Sequence, residues 1–161
     1  MVKYLKWYKL SLLLSLLGWQ THRNDIMTYS NTWEGVTEAA KAAGAKFPEV
    51  VAAQWFLESA HGTATSGKNN YFGIKGAGTV CNTTENYGHG MVHVNASFRD
   101  FNSLYDCIVY LVDRWYKDYR GYKGVNRATS ADQCCELLKA EGYATDPNYV
   151  AKLKRIIREH V

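Results

Sequence analysis

Apolar residues recur at helical spacing in five stretches of this chain and alternate in one. The first stretch carries Trp33, Val36, Ala39 and Ala40. Asn31 with Glu34 gives it a capping-box-like start, and Gly44 gives it an end. Pro48, placed at the first helical position, opens the second, which runs through Val50, Val51, Trp55, Phe56 and Leu57 to a closing Gly62. The residues from Thr63 to Asn70 are rich in Gly, Ser, Thr and Asn and read as loop. Two arms, Val80 to Tyr87 and Met91 to Phe98, read as a β-hairpin turning across Gly88, His89 and Gly90. In the second arm Val92, Val94, Ala96 and Phe98 alternate with His93, Asn95, Ser97 and Arg99, as a half-buried strand requires. Asn102 or Ser103 then caps a long helix with Leu104, Ile108, Leu111, Val112 and Trp115, ending near Gly121. Thr129 or Ser130 opens a helix that stops at Gly142, and Asp146 with Pro147 starts a last one, striped by Tyr149, Val150, Leu153, Ile156 and Ile157. The pattern predicts an α+β fold, mainly α, in which helices and one hairpin flank a cleft.

The chain's 161 residues fit a single domain, and 47% apolar against 21% charged residues excludes disorder. The segment 1–26 reads differently from 27–161. Lys3, Lys6 and Lys9 precede an apolar run from Leu10 to Trp19, the order of a signal peptide or membrane anchor. Ten helical residues rise about 15 Å against a hydrocarbon core of about 30 Å, and no small-residue cleavage pair follows. Signal, anchor in contact with the membrane, and an upstream extension before a start at Met27 all remain open for this segment. The globular domain is expected to be a monomer.

A net charge of +4 suits an anionic partner without choosing among nucleic acid, membrane and cell wall. The basic side of the last helix, with Lys152, Lys154, Arg155 and Arg158, reads as a solvated face rather than a nucleic-acid site. Cys81, Cys107, Cys134 and Cys135 contain no C-x-x-C, so zinc-ribbon and thioredoxin readings fail and reduced, mostly buried thiols are expected. Glu58 with His61, and His89 with His93, have metal-like spacing. The first pair lacks the second copy a di-iron bundle needs, and the second falls in a turn and strand, so no metal and no cofactor are expected.

Glu58 is the candidate for chemistry. It falls in the last turn before Gly62, behind Trp55, Phe56 and Leu57. The negative end of the helix dipole and apolar burial both disfavour its charged form, the condition a general acid needs at neutral pH. A solvated glutamate at a helix end is the plain alternative. Gln54, one turn earlier on the same face, is a candidate hydrogen-bonding group for substrate.

The run Ala53-Gln54-Trp55-Phe56-Leu57-Glu58-Ser59-Ala60-His61-Gly62, followed by Asn69-Asn70-Tyr71-Phe72-Gly73-Ile74-Lys75, resembles the signature of the bacterial and phage cell-wall endo-β-N-acetylglucosaminidases. These include flagellar muramidase-like hydrolases, autolysins and phage lysins, with a lysozyme-like fold. Thr83-Thr84-Glu85, Ala96-Ser97-Phe98-Arg99 with Asn102-Ser103, and Gly142-Tyr143-Ala144-Thr145-Asp146-Pro147 with Tyr149 resemble further motifs in the family's order, from Trp33 to the end. The departures are His61, where an aromatic is common, and a very short loop before the Asn pair.

The resemblance implies a glucosaminidase domain at 27–161. Glu58 is implied as the acid that protonates the glycosidic oxygen and Glu85 as the second carboxylate, with Tyr143 positioning the sugar or stabilising oxocarbenium charge. Tyr143 as a core aromatic is the alternative. Glu85 could activate water, act as nucleophile, or only orient groups if the substrate's own N-acetyl group attacks. Asn69, Asn70, Tyr71 and Phe72 are implied on the substrate side, although the two asparagines could instead shape the loop and Phe72 could pack. The implied substrate is the peptidoglycan glycan strand, cut after N-acetylglucosamine at the bacterial cell wall, in the manner of a compact phage lysin. A wall amidase or thiol peptidase, an autolysin, and a non-catalytic wall-binding module are the alternatives.

Overall fold

A computed structural model describes residues 28–86 and 90–161, and the side chains of 83–86, Met91 and Val92 are not part of that description. The reading of 1–26, the start at Met27, and the turn residues Tyr87, Gly88 and His89 all lie outside the described residues. Among the described residues, five α-helices and one two-stranded antiparallel sheet follow in chain order. They are α1 (Trp33–Ala43), α2 (Pro48–Glu58), β1 (Gly78–Asn86), β2 (Met91–Arg99), α3 (Leu104–Leu111), α4 (Ala131–Ala140) and α5 (Tyr149–His160). The fold is α+β and mainly α, as the pattern predicts. Among the described residues no helix is long and apolar enough to cross a membrane.

Local chemistry sets most helix ends. Ser103 and Ser130 accept from the backbone N–H three residues on, and Gly44 takes the left-handed backbone that closes α1. Pro48 stands where it lacks a helical donor, at the start of α2. Thr32, not Asn31, caps α1, its hydroxyl accepting from Gly35 N. Asn31 is diverted to a tertiary role, accepting from Trp55 Nε1 at 2.9 Å and donating to Gly62 O at 2.8 Å.

The helix predicted to reach Gly121 ends earlier. After Leu111 one π-helical turn, Val112–Tyr116, carries the chain to an extended Lys117. The widened turn buries Tyr116 completely, and the chain then reverses in a small hairpin where Tyr119 and Tyr122 exchange backbone hydrogen bonds of 2.9 and 2.8 Å.

Helix α2 is the hub of the core. Val50 through Ala53 are fully buried, and the helix packs against α1, α4 and α5. The hairpin joins this body at its base. Asn70, fully buried, accepts from Ile74 N and donates to Ile74 O and to Arg99 O, tying the loop to the last residue of β2. Asp100 accepts from Lys68 N and from the Thr79 hydroxyl, and these bonds hold its carboxyl below the usual carboxylate range.

Candidate active site

Glu58 is the last residue of α2, and a tight reversal fixes its backbone. Ala60, His61 and Gly62 all have positive φ, which costs the two side-chain-bearing residues about 1–3 kcal/mol each. Ser59 holds the reversal, its hydroxyl donating to Trp55 O and accepting from Gly62 N at 2.8 Å. A Cβ on Gly62 would stand 2.5 Å from Trp55 Cζ2, so the close approach of loop to helix requires glycine. His61, the departure noted above, stacks on Phe56 at 3.7 Å between ring centroids.

Behind Glu58 runs a buried polar chain. The Tyr116 hydroxyl donates to Gln54 Oε1 at 2.5 Å, Gln54 Nε2 donates to the Tyr149 oxygen at 3.2 Å, and the Tyr149 hydroxyl hydrogen-bonds the Glu58 carboxyl. Gln54 is fully buried with both amide ends engaged, so it supports the site from within and is not free to meet a sugar, contrary to the sequence expectation. Glu58 itself keeps surface open to solvent. The protein packed around it still raises its pKa above the ordinary carboxylate value. Desolvation is the larger effect, opposed by the Tyr149 hydrogen bond and the Lys152 charge.

Tyr143 lies beside this group. Its ring stacks against Tyr149 at 5.9 Å and meets the Trp115 edge at 5.0 Å, and its hydroxyl donates to Phe72 O at 3.3 Å. Burial, then the Glu58 charge, raise its pKa well above the usual phenol value, so the hydroxyl remains a neutral donor.

Of the residues predicted to face substrate, Asn70 and Phe72 are buried and do structural work instead: Asn70 clamps the hairpin base and Phe72 joins the core. Asn69 adopts positive φ and donates to Phe101 O, the loop-shaping alternative. Tyr71 is half-buried. Glu85 is in β1, paired with Val92 one step inside the Asn86–Met91 pair, toward the end of the hairpin remote from its base.

Sequence reasoning did not give Tyr116 and Tyr149 their places behind Glu58. The only signal was Tyr149 in the motif after Pro147. Cys107, Cys134 and Cys135 are fully buried, each thiol pushed up to about 12 by desolvation, which leaves no thiolate for a nucleophile. Among the described residues no group of three His, Cys, Asp or Glu side chains converges on a metal position.

Comparison with known proteins accords with this arrangement. Residues 33–161 match the family model "Glucosaminidase: Mannosyl-glycoprotein endo-beta-N-acetylglucosaminidase". The chain is 34% identical over 96 residues to the peptidoglycan hydrolase FlgJ of Escherichia coli, covering 56% of this chain and 30% of that protein. It is 30% identical over 125 residues to the exo-glucosaminidase LytG of Bacillus subtilis, covering 70% of this chain and 44% of that protein. The match thus spans less than half the length of these relatives. Among solved structures, the glycoside hydrolase domain of Salmonella typhimurium FlgJ is similar, with a TM-score of 0.56 at 29% identity over 77% of this chain and 91% of that one. The catalytic domain of the Listeria monocytogenes autolysin Auto shares the fold, with a TM-score of 0.65 at 23% identity over 80% and 81% of the two chains. From Trp33 to its end, the chain belongs to the glucosaminidase family of glycoside hydrolases.

Proposed function

We propose that this enzyme hydrolyses the β-1,4 bond following N-acetylglucosamine in peptidoglycan glycan strands. The observation that carries the reading is Glu58: a carboxyl open to solvent at a helix end, its pKa raised by desolvation, and held from behind by Tyr149. Such a group is protonated over a wider pH range than an ordinary glutamate and can deliver its proton to the glycosidic oxygen as the bond to C1 breaks. Glu85 is assigned as the base that takes a proton from the attacking water. That water then supplies oxygen to C1 and the leaving sugar keeps the proton from Glu58. Tyr143, a neutral phenol beside the acid, is assigned to position the sugar. The relatives' names, peptidoglycan hydrolase and exo-glucosaminidase, support the substrate class. A phage-type lysin acting at the bacterial wall is the biological role assigned.

Mass spectrometry of purified peptidoglycan digested by the full chain tests the reading. New reducing ends should be N-acetylglucosamine. Muramic acid ends, or free peptides with no new reducing ends, would replace it with a muramidase or an amidase.

A further inference from the structure

A pocket of about 210 Å³ opens beyond Tyr143, lined by Arg114, Trp115, Tyr119, Tyr122 and Glu141. Trp115 is its shared wall with the site, since the same ring meets the edge of Tyr143. Two irregular backbones build it. The π-helical turn Val112–Tyr116 supplies Arg114 and Trp115, and such turns are frequent at functional sites. The small hairpin supplies the two tyrosines as a directly paired couple. Its turn residues Arg120 and Gly121 both have positive φ (46° and 88°), a strained state for arginine that a two-residue hairpin turn demands.

The arginines here are ordered by rings rather than by carboxylates. Arg99 lies 4.6 Å from the Tyr110 ring centre, Arg114 lies 5.1 Å from the same ring and 4.8 Å from that of Tyr119, and Arg120 lies 5.4 Å from Tyr119. Among the described residues none of the three makes an ion pair, whereas nearby Asp113 pairs with Lys117 and Glu141 with Arg127. Ring stacking fixes a guanidinium plane without neutralising its charge. Arg114 gives one donor to the Tyr110 hydroxyl at 2.7 Å and keeps the rest of its fork for an anion.

We propose that this pocket and its arginine–tyrosine stripe form a subsite for the carboxylates of the stem peptides that branch from the glycan strand. The inference rests on peptidoglycan being the substrate. Charge complementarity selects the occupant: where a stem peptide is attached, the lactyl carboxyl of muramic acid is tied up in the amide bond to it, so the free carboxylates are the peptide's own, and a guanidinium fork beside aromatic walls fits a carboxylate on an apolar peptide stem.

Binding in the Glu58→Gln background tests this without requiring turnover. Pull-down would compare bead-bound sacculi bearing stem peptides, freed of other anionic polymers, with bead-bound glycan strands stripped of peptide by an amidase and capped as amides at the lactyl carboxylates that this frees. Adding Arg114→Gln and Arg120→Gln, with folding checked by circular dichroism, should weaken binding to peptide-bearing sacculi about five- to tenfold and leave binding to stripped strands unchanged. Arg120→Gln alone, at an exposed turn tip, should give a smaller loss in the same direction if the double variant does not fold. Equal weakening on both substrates would reassign the pocket to sugar, and no weakening on either would overturn the proposal. Failure of the glucosaminidase reading would show separately, as wild-type enzyme releasing no N-acetylglucosamine ends.

Discussion

The Tyr149 hydroxyl hydrogen-bonds the Glu58 carboxyl while its oxygen accepts from Gln54 Nε2. Tyr149 is thus an acceptor toward Gln54 and gives its single proton to Glu58, stabilising the charged carboxylate against the desolvation that raises its pKa. Tyr149→Phe should therefore raise the Glu58 pKa further. The acid would stay protonated to higher pH, and the alkaline limb of the pH–rate profile should move upward. A limb that stays in place, with the variant folded, would show that Tyr149 does not act on Glu58.

Glu58→Gln should lower hydrolysis by about 10²- to 10⁴-fold, the usual worth of general acid catalysis, measured as reducing ends released from peptidoglycan. Wild-type rates in a folded variant would remove Glu58 from the mechanism.

The same substitution should stabilise the protein, with a definite pH dependence. The folded pKa of Glu58 is raised above its unfolded value near 4.5, so folding favours the protonated form. The stability this gives is fully present below the unfolded pKa and is lost as pH rises through the folded one. The Tm of Glu58→Gln should thus exceed wild type at neutral pH, with the difference shrinking as pH falls through the raised folded value and gone below about 4.5. A Tm difference independent of pH would contradict the raised pKa.

Helix periodicity made the main architecture legible because the relevant chemistry is local. A serine three residues before a free N–H, as at Ser103 and Ser130, or a proline at Pro48, declares itself within one turn. Gln54 was misread because spacing from Glu58 reveals a shared face but not depth. Its partners Tyr116 and Tyr149 lie 62 and 95 residues away in sequence. The early end of α3 has the same origin: the π-helical turn buries Tyr116 beneath Gln54, a tertiary demand that no periodicity encodes. For Asn70 sugar binding and loop shaping both stay open in sequence, because an asparagine that clamps backbone and one that binds hydroxyls look alike there.

Gln54→Leu should destabilise the fold by about 1–3 kcal/mol, since it keeps the volume yet strands buried tyrosine hydroxyls. Chemical denaturation would measure it, and an unchanged midpoint would mean that the hydroxyls find other partners.

Native protein should expose at most the half-buried Cys81 to a thiol reagent, and all four cysteines only after denaturation. Rapid native labelling of Cys107, Cys134 or Cys135 would contradict the buried thiols.

With Glu85 as the proposed second carboxylate, the Asn70 clamp at the hairpin base would bear on stereochemistry at the sugar. Glu85 lies seven residues along β1 from Gly78, a lever of about 24 Å at strand rise. Pivoting such a lever by about 10° at its root sweeps the far end by about 4 Å. That sweep matches the difference between two carboxyls about 5 Å apart, suited to a covalent intermediate, and about 6.5–9.5 Å apart, suited to a trapped water. On the role proposed for Glu85, one buried asparagine amide, far from the bond being cut, would constrain which anomer the enzyme can release.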